Sequence, residues 1–271
     1  TDREDAAAPD LRGDIVFDRV NFAYEGGGEV LRDLSFTIPA GKTAAFLGAT
    51  GSGKSSIALL MQRLYAPQSG RITIGGHNIA QVARRHLRAR VGLVLQEPFL
   101  YSKTIYDNLR MAAPEAGQEM ITRAARDAQA LEFIEQSEKG WQTMVGERGV
   151  TLSGGQKQRA AIARTLLKDN DILIFDDSLS AVDTATDARI REALRRRSRD
   201  TTTIIISHRI LTLAQADIIF VLEEGRISAQ GSHEELISRP GLYQRIHHIQ
   251  SGLEDEFLFQ AHNGTREAAH E

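Results

Sequence analysis

The stretch Gly48-Ala49-Thr50-Gly51-Ser52-Gly53-Lys54-Ser55 fits the pattern G-x-x-x-x-G-K-[ST] at every fixed position, and it constrains the chain more than any other. Its flanks fit as well. Thr43 to Leu47 is a short apolar run suited to a buried parallel strand, and Ser56 to Leu64 carries helical periodicity. Strand, glycine loop and helix in that order form a cradle for an anion. Gly48, Gly51 and Gly53 let backbone N–H groups turn inward, the following helix aims its positive N-terminus at the same point, and Lys54 adds a point charge. Ser55 brings a hydroxyl suited to Mg²⁺. A glycine-rich turn that happens to end in Lys-Ser would need none of these flanks. The stretch predicts binding of a nucleoside triphosphate.

Composition narrows the setting. A length of 271 residues allows one large or two small domains, and 41% hydrophobic residues are enough to bury a core. A net charge of −3 leaves no basic footprint, so nucleic acid is not an expected partner. The absence of cysteine excludes disulfides, thiolate metal sites and cysteine nucleophiles. No apolar run reaches the ~18 residues of a membrane-spanning helix.

Around the glycine loop the chain reads as an alternation of strands and helices. Residues 1–13 are polar and turn-rich and are expected to be a linker from a preceding segment. Ile15, Phe17, Val20 and Phe22 then alternate as a strand, and a second strand is expected over Val30 to Ile38. Tyr24, just upstream of the loop, either stacks on a purine or closes the end of a core strand; its position alone leaves both readings open. Arg71 to Gly76 reads as a strand ending in a tight turn, and Arg84 to Arg90 as a helix with a solvated basic face. Val91 to Leu95 is a buried strand that ends on Gln96, and the carboxyl ends of such strands are where ligands sit in open α/β sheets. Residues 104–136 have the spacing of amphipathic helices.

A second phosphate-binding feature follows far downstream. Ser153 is a good N-cap, and Gly154 and Gly155 leave amides exposed at the start of the next helix, so Leu152-Ser-Gly-Gly-Gln156 is another anion site, although such a turn alone is usually only a cap. Asp171-Ile-Leu-Ile-Phe-Asp176 reads as a buried strand presenting a carboxylate to Mg²⁺, with Asp177 placed to polarise a water. Thr201 to Ile206 is a further buried strand, and it delivers His208 to the same edge, where it can stabilise a γ-phosphate. Ala216 to Leu222 and Arg226 to Ala229 flank Glu223-Glu-Gly225 as a hairpin, and Ser232 with Glu235 forms a capping box. The tail 251–271 has Phe257, Leu258 and Phe259 as its apolar cluster, and a partner-contacting helix and a disordered segment are both compatible with it.

Taken together, these residues resemble the nucleotide-binding domain of an ATP-binding cassette (ABC) transporter over nearly all of Asp14 to Gln250. Tyr24 corresponds to the aromatic loop, Gly48 to Ser55 to Walker A, Gln96 to the Q-loop and Leu152 to Gln156 to the signature. The strand ending at Asp176 corresponds to Walker B, Ser180 to Asp183 to the D-loop, and His208 to the switch histidine. Gly146-Glu-Arg-Gly149 is similar to a segment of exporters in particular, where it faces the membrane domain. The fold implied is α/β, a P-loop NTPase core with a mixed sheet, an antiparallel β subdomain and an α-helical subdomain at about 97–168 carrying the signature. The domain would span 14–250, between the linker from a transmembrane domain outside this chain and the extension 251–271.

The resemblance implies a head-to-tail dimer sandwiching ATP and Mg²⁺ between Walker A of one domain and the signature of the other, on the cytoplasmic face of an inner or plasma membrane. Tyr24, Gly48 to Ser55, Ser56 and Gln96 would bind nucleotide on one side, and Ser153, Gly154, Gly155, Gln156 and Asp183 would complete the partner's site. Ser55, Gln96 and Asp176 would arrange the metal; Lys54, Gln96, Asp177 and His208 would act in hydrolysis.

One residue departs from the family pattern, which has glutamate where Asp177 stands. Aspartate is one methylene shorter and falls short of the water by roughly 1 to 1.5 Å, enough to cost about 10²-fold in rate. That favours a slow, degenerate site in a heterodimeric exporter, with the intact signature completing an active site on a different partner chain. A homodimeric exporter with a competent Asp177 is the alternative, and a non-transport ABC ATPase is a further one. Repair ATPases split the cassette with a coiled coil and translation ATPases carry a pair of cassettes, and neither feature is visible. A small-molecule kinase would share the phosphate loop but has no use for Leu152 to Gln156.

Overall fold

The computed structural model describes residues 7–146, 152–197 and 201–252. Residues 147–149 of the Gly146 to Gly149 segment, the first six residues of the expected linker and the tail from 253 lie outside the described residues.

The chain opens with β1 (Ile15–Ala23) and β2 (Glu29–Ile38), then β3 (Thr43–Gly48) and α1 (Lys54–Met61). β4 (Ser69–Ile74), the short β5 (His77–Asn78), α2 (Arg84–Arg90) and β6 (Val91–Val94) follow. A run of helices comes next, α3 (Ile105–Arg110), α4 (Gln118–Asp127), α5 (Leu131–Gln136) and α6 (Gly154–Leu166). The chain then returns through β7 (Ile172–Asp176), α7 (Thr184–Arg197), β8 (Thr202–Ile206) and α8 (Ile210–Leu213). It closes with the hairpin of β9 (Ile218–Glu223) and β10 (Arg226–Gly231), then α9 (His233–Ile237), and residues 242–252 are helical as well.

Local chemistry explains the two sheets. In β1 the buried side chains Ile15, Phe17, Val20 and Phe22 contain one three-residue step. A strand keeps such a set on one face only with a bulge; the register with β2 shifts between Phe17 and Val20, and Arg19 takes φ 49° there. β1 lies between β2 and β4 in an antiparallel sheet of order β2-β1-β4-β5, with Gly75 and Gly76 at φ 58° and 79° making the turn into β5. The second sheet has order β10-β9-β3-β8-β7-β6 and is parallel except for β10. It is therefore mixed, as expected.

The inner strands β3, β7, β8 and β9 are largely buried on both faces, which is why they are rich in apolar residues, while the edge strand β10 is mostly exposed. Phe46 and Phe220 face the antiparallel sheet and meet Phe36, which stacks on Phe17 at 4.5 Å between ring centres. On the other face Ala45, Leu47 and Val221 pack against Leu213, Leu236 and Tyr243. A separate core made by Leu109, Ile121, Phe133, Ile134 and Ile162 joins the helices α3 to α6 to β7 through Leu173 and Phe175. Residues 7–12 of the segment expected to be linker pack on the core. Ala7 bridges to Val82, Leu11 is buried, and Arg12 pairs with Asp171 at 3.3 Å.

Candidate functional site

Strand order builds the site. β3, β8, β7 and β6 are adjacent and parallel, so the residues that follow them reach the same sheet edge. These are the glycine loop after β3, His208 after β8, Asp176 and Asp177 at the end of β7, and Gln96 after β6. Segments more than a hundred residues apart in sequence thus converge on one edge.

The loop is shaped by its glycines and by Lys54. A Cβ on Gly48 would lie 2.3 Å from the Leu222 carbonyl oxygen, and Gly53, at φ 100°, would drive one into Leu31 at 2.5 Å. Lys54 is buried, and its Nζ donates to the carbonyl oxygens of Gly48 at 2.7 Å and Ala49 at 2.8 Å. Burial pushes its ammonium below the ordinary lysine range, against the pull of Asp176 and Asp177. α1 starts on Gly53 with no side-chain cap, so its first-turn donors are left to a ligand. Thr50 and Gly51 are exposed at the loop crest, while Ser52 and Ser56 are buried.

The acidic end of β7 meets this loop directly. Ser55 Oγ donates to Asp176 Oδ1 at 3.0 Å. Burial pushes the Asp176 carboxyl above the usual carboxylate range, Ser55's hydrogen bond opposes this, Asp177 adds to it, and Lys54 and His208 pull it back. A cation beside this carboxyl would favour its charged form. Its hydroxyl neighbour stands at the roughly 3 Å spacing of adjacent oxygens around octahedral Mg²⁺, so Ser55 and Asp176 fit the metal.

Asp177 is half-buried and takes φ 45°, a left-handed conformation that aspartate tolerates. Its N–H donates to the Ile206 carbonyl at 2.8 Å, and its Oδ2 accepts from Gln96 Nε2 at 3.3 Å. Gln96 thus faces the acid expected to polarise water; its amide nitrogen is bonded to Asp177 and not to the Ser55–Asp176 pair. Tyr24 is half-buried, lies edge-on to Phe22 and Tyr65, and shares a 2.8 Å hydrogen bond with Ser56 Oγ. It both closes the end of a core strand and borders the loop.

The second anion site sits elsewhere on the surface. Ser153 Oγ accepts from Gln156 N at 3.2 Å while Gln156 Oε1 accepts from Ser153 N at 2.9 Å, a reciprocal capping box at the start of α6. Ser153 and Gly154 are exposed, and a Cβ on Gly155 would stand 3.0 Å from the Ala181 carbonyl oxygen. That contact lets the helix start approach the 180–183 loop. Asp183 is exposed and caps α7, accepting from Thr186 N at 2.9 Å, and these hydrogen bonds hold its carboxyl below the usual range.

One linking residue has no local signature in the sequence. Gln158 of α6 is buried, and its Nε2 donates to the Leu95 carbonyl at 3.1 Å, joining the helix of the second anion site to the strand end that bears Gln96. α6 mixes polar and apolar residues, so nothing in the sequence sets this glutamine apart from Gln156 two residues before it.

A P-loop core with Asp176, Asp177 and His208 lining one sheet edge, and a second helix start suited to phosphate on a helical subdomain, defines a nucleotide-binding domain. The family model described as "ABC transporter" matches residues 31–180, and the chain belongs to that family. It is 45% identical over 242 residues to an uncharacterized ABC transporter ATP-binding protein of Sinorhizobium fredii, covering 89% of this chain and 41% of the relative. A lipid A-core flippase of Pasteurella multocida, described as ATP-dependent, is 44% identical over 89% of this chain and 42% of its own. Among solved structures, a bacterial Atm1-family ABC exporter with ATP bound superposes with a TM-score of 0.89 at 43% identity, covering 92% of this chain and 44% of the other. The chain thus spans about two-fifths of the length of the relatives it matches. Among the described residues, no helix is long and apolar enough to cross a membrane.

Proposed function

We propose that this chain is the ATP-binding and ATP-hydrolysing motor of an exporter, and that it works as a head-to-tail dimer clamping ATP between the glycine loop of one copy and Leu152 to Gln156 of the other. The observation that carries the reading is the edge where Lys54, Ser55, Gln96, Asp176, Asp177 and His208 gather at the ends of β3, β6, β7 and β8. The capped start of α6 is exposed and bonded within itself, so its anion site is free for a second molecule.

In this reading Lys54 and the loop amides hold the β and γ phosphates, Tyr24 stacks on adenine, and His208 contacts the γ-phosphate. Ser55 and Asp176 would hold Mg²⁺, with Gln96 beside them, and the ion would neutralise phosphate charge. Asp177 polarises the attacking water and Gln96 fixes its carboxylate. The membrane domain docks over Phe99, Tyr101 and Met111, large apolar side chains that line one surface cleft, with Phe99 66% exposed. That domain would place the motor on the cytoplasmic side of the membrane.

The short reach of Asp177 makes this a slow site, and a heterodimer half is favoured, its signature serving a partner that carries glutamate. Steady-state ATPase rates of the wild type and Asp177→Glu at high protein concentration, with gel filtration in Mg²⁺-ATP, test the reading. A nearly inactive wild type whose Asp177→Glu variant turns over about 10²-fold faster and loses its ATP-held dimer is the expected result. Similar rates for both proteins would make Asp177 competent and a homodimer the better account.

A further inference from the structure

The loop that carries His208 is pinned from a part of the chain with no role in the site so far. Gln250 stands in the helical residues 242–252, forty-two positions from His208. Its Nε2 donates to the His208 carbonyl oxygen at 2.7 Å, and its Oε1 accepts from Ile210 N at 2.8 Å. One amide thus closes a two-point bond across the switch residue, and only one orientation of the amide satisfies both partners. Ile210 N is also the first donor of α8, whose N-cap, Arg209, offers it no side-chain oxygen. Gln250 is therefore the cap of α8, supplied from a distant helix.

Two further contacts leave the switch segment little freedom. Arg209 Nη1 donates to the Val182 carbonyl at 3.0 Å and Nη2 to the Ser180 carbonyl at 2.7 Å, tying the segment to the loop after Asp177. Arg209 N donates to Ser207 Oγ at 3.1 Å. The helix bearing Gln250 is itself anchored. Tyr243 is buried against the sheet and shares a 2.8 Å hydrogen bond with His233 Nδ1, and Leu242 and Ile246 pack beside it. The imidazole of His208, by contrast, is exposed at the nucleotide edge. A flexible backbone under an exposed side chain would leave that side chain without a defined direction; here the backbone is fixed at both ends.

We infer that Gln250 is a positioning residue for His208, holding the switch histidine toward the terminal phosphate from the C-terminal helix. The inference rests on the reading of His208 as the γ-phosphate contact. A phosphate-sensing group that is held in place should raise affinity for a triphosphate and leave a diphosphate untouched, so the ratio of the two affinities reports on it whatever the turnover rate.

The test is titration of the whole 271-residue chain with Mg²⁺-ATPγS and Mg²⁺-ADP, for the wild type, His208→Ala, Gln250→Met and the double variant. Methionine keeps the bulk of Gln250 without a strong donor or acceptor. We expect His208→Ala to lower the triphosphate preference about tenfold, the scale of one hydrogen bond to a charged group, and Gln250→Met to lower it severalfold with ADP affinity unchanged. On the His208→Ala background Gln250→Met should add nothing, because it acts through that side chain. If His208→Ala loses the preference and Gln250→Met keeps it, the inference fails and the reading of His208 stands. If His208→Ala keeps the preference, the reading fails and the inference with it. Equal loss of ADP and ATPγS affinity in Gln250→Met would make Gln250 a packing residue and overturn the inference.

Discussion

The chain has two helix starts suited to phosphate, and they are built in opposite ways. α1 begins on Gly53 at φ 100°, has no side-chain cap, and buries Lys54 and Ser56 of its own first turn together with Ser52 of the loop before it. α6 begins on Ser153, has its cap closed by Gln156, and is exposed. The first leaves its donors unspent and depends on a ligand to use them; the second satisfies itself and stands ready without one. Ser153 can still serve a phosphate, because a hydroxyl that accepts from Gln156 N keeps its own O–H to donate. In the proposed dimer, that difference lets nucleotide bind first at α1, inside one chain, before α6 of another chain closes over it.

Breaking the α1 end should have the largest effect. Lys54→Met replaces a buried ammonium with a thioether of similar length, removing the donor to Gly48 and Ala49 and the charge that meets the phosphates. We expect ATP affinity of the lone chain to fall about 100-fold or more, the loss of charge-assisted hydrogen bonds, while the domain stays folded. Calorimetric titration with Mg²⁺-ATP, beside a thermal melt, checks both statements.

Asp176→Asn separates the metal from the phosphate cradle. The folded-state pKa of Asp176 is raised above its unfolded value, so the folded chain binds the proton more tightly than the unfolded chain does. The stability this gives is present at low pH and is lost as pH rises from the ordinary aspartate range through the raised value. An amide in place of the carboxylate carries no such penalty. We therefore expect the variant without nucleotide to melt higher than the wild type at neutral pH, and to lose that advantage under acid. Its ATP binding should no longer strengthen when Mg²⁺ is added. Melting curves across pH 3 to 8, on the order of the range in which a raised carboxylate titrates, give the sign directly.

The same contrast explains what could be read without coordinates. The glycine loop has fixed residue types at fixed spacing, because backbone approach to an anion tolerates nothing else, and so Gly48 to Ser55 is legible. The hairpin at Glu224-Gly225 is legible for a similar reason, with both residues at positive φ. Ser153 reads as an N-cap from its place before a helix, and Gln156 stands at the capping-box spacing that the fold closes with a reciprocal bond. Side chains that reach far in sequence to a distant partner leave no local pattern. Gln96 on Asp177, Gln158 on Leu95 and Gln250 on His208 are all of this kind. The Asp187–Arg191 ion pair on α7, at 2.9 Å, is local, but its burial against Thr212, whose hydroxyl donates to Asp187 Oδ2, depends on a distant segment. Residues 7–12 have a linker's composition, and their packing shows only in contacts with distant residues, such as the Ala7–Val82 bridge and the Arg12–Asp171 pair. The strand order is likewise a matter of long-range pairing, such as Phe46 with Ile206.

At the α6 end the effect should be smaller on the lone chain and confined to assembly. Ser153→Asp keeps an N-cap oxygen for Gln156 N, so the melting temperature should change little. It also adds a negative charge where, in the proposed dimer, the other chain's phosphates would arrive. Affinity of the lone chain for ATP should stay within about twofold, while the proposed ATP-dependent dimer, followed by gel filtration, should disappear. Ser153→Ala should do the reverse in stability, costing about 1 kcal/mol through the lost cap. A lone-chain ATP affinity that drops in Ser153→Asp would erase the distinction between the two helix starts.

The smallest effect is expected at Tyr24, which borders the α1 end from outside the loop. Its hydroxyl is bonded to Ser56 Oγ at 2.8 Å and its ring lies edge-on to Tyr65, 5.1 Å between centres. Tyr24→Phe removes the hydroxyl and keeps the ring. If the ring face carries adenine, this variant should bind ATP within about threefold of the wild type, since a neutral hydrogen bond contributes on the order of 1 kcal/mol or less at a half-exposed site. Tyr24→Ala should then lose about 1 to 3 kcal/mol with ATP, the scale of one base on one aromatic ring, and distinctly less with inorganic triphosphate. Equal losses with ATP and triphosphate would mean that Tyr24 serves the loop through Ser56 and takes no part in holding the base.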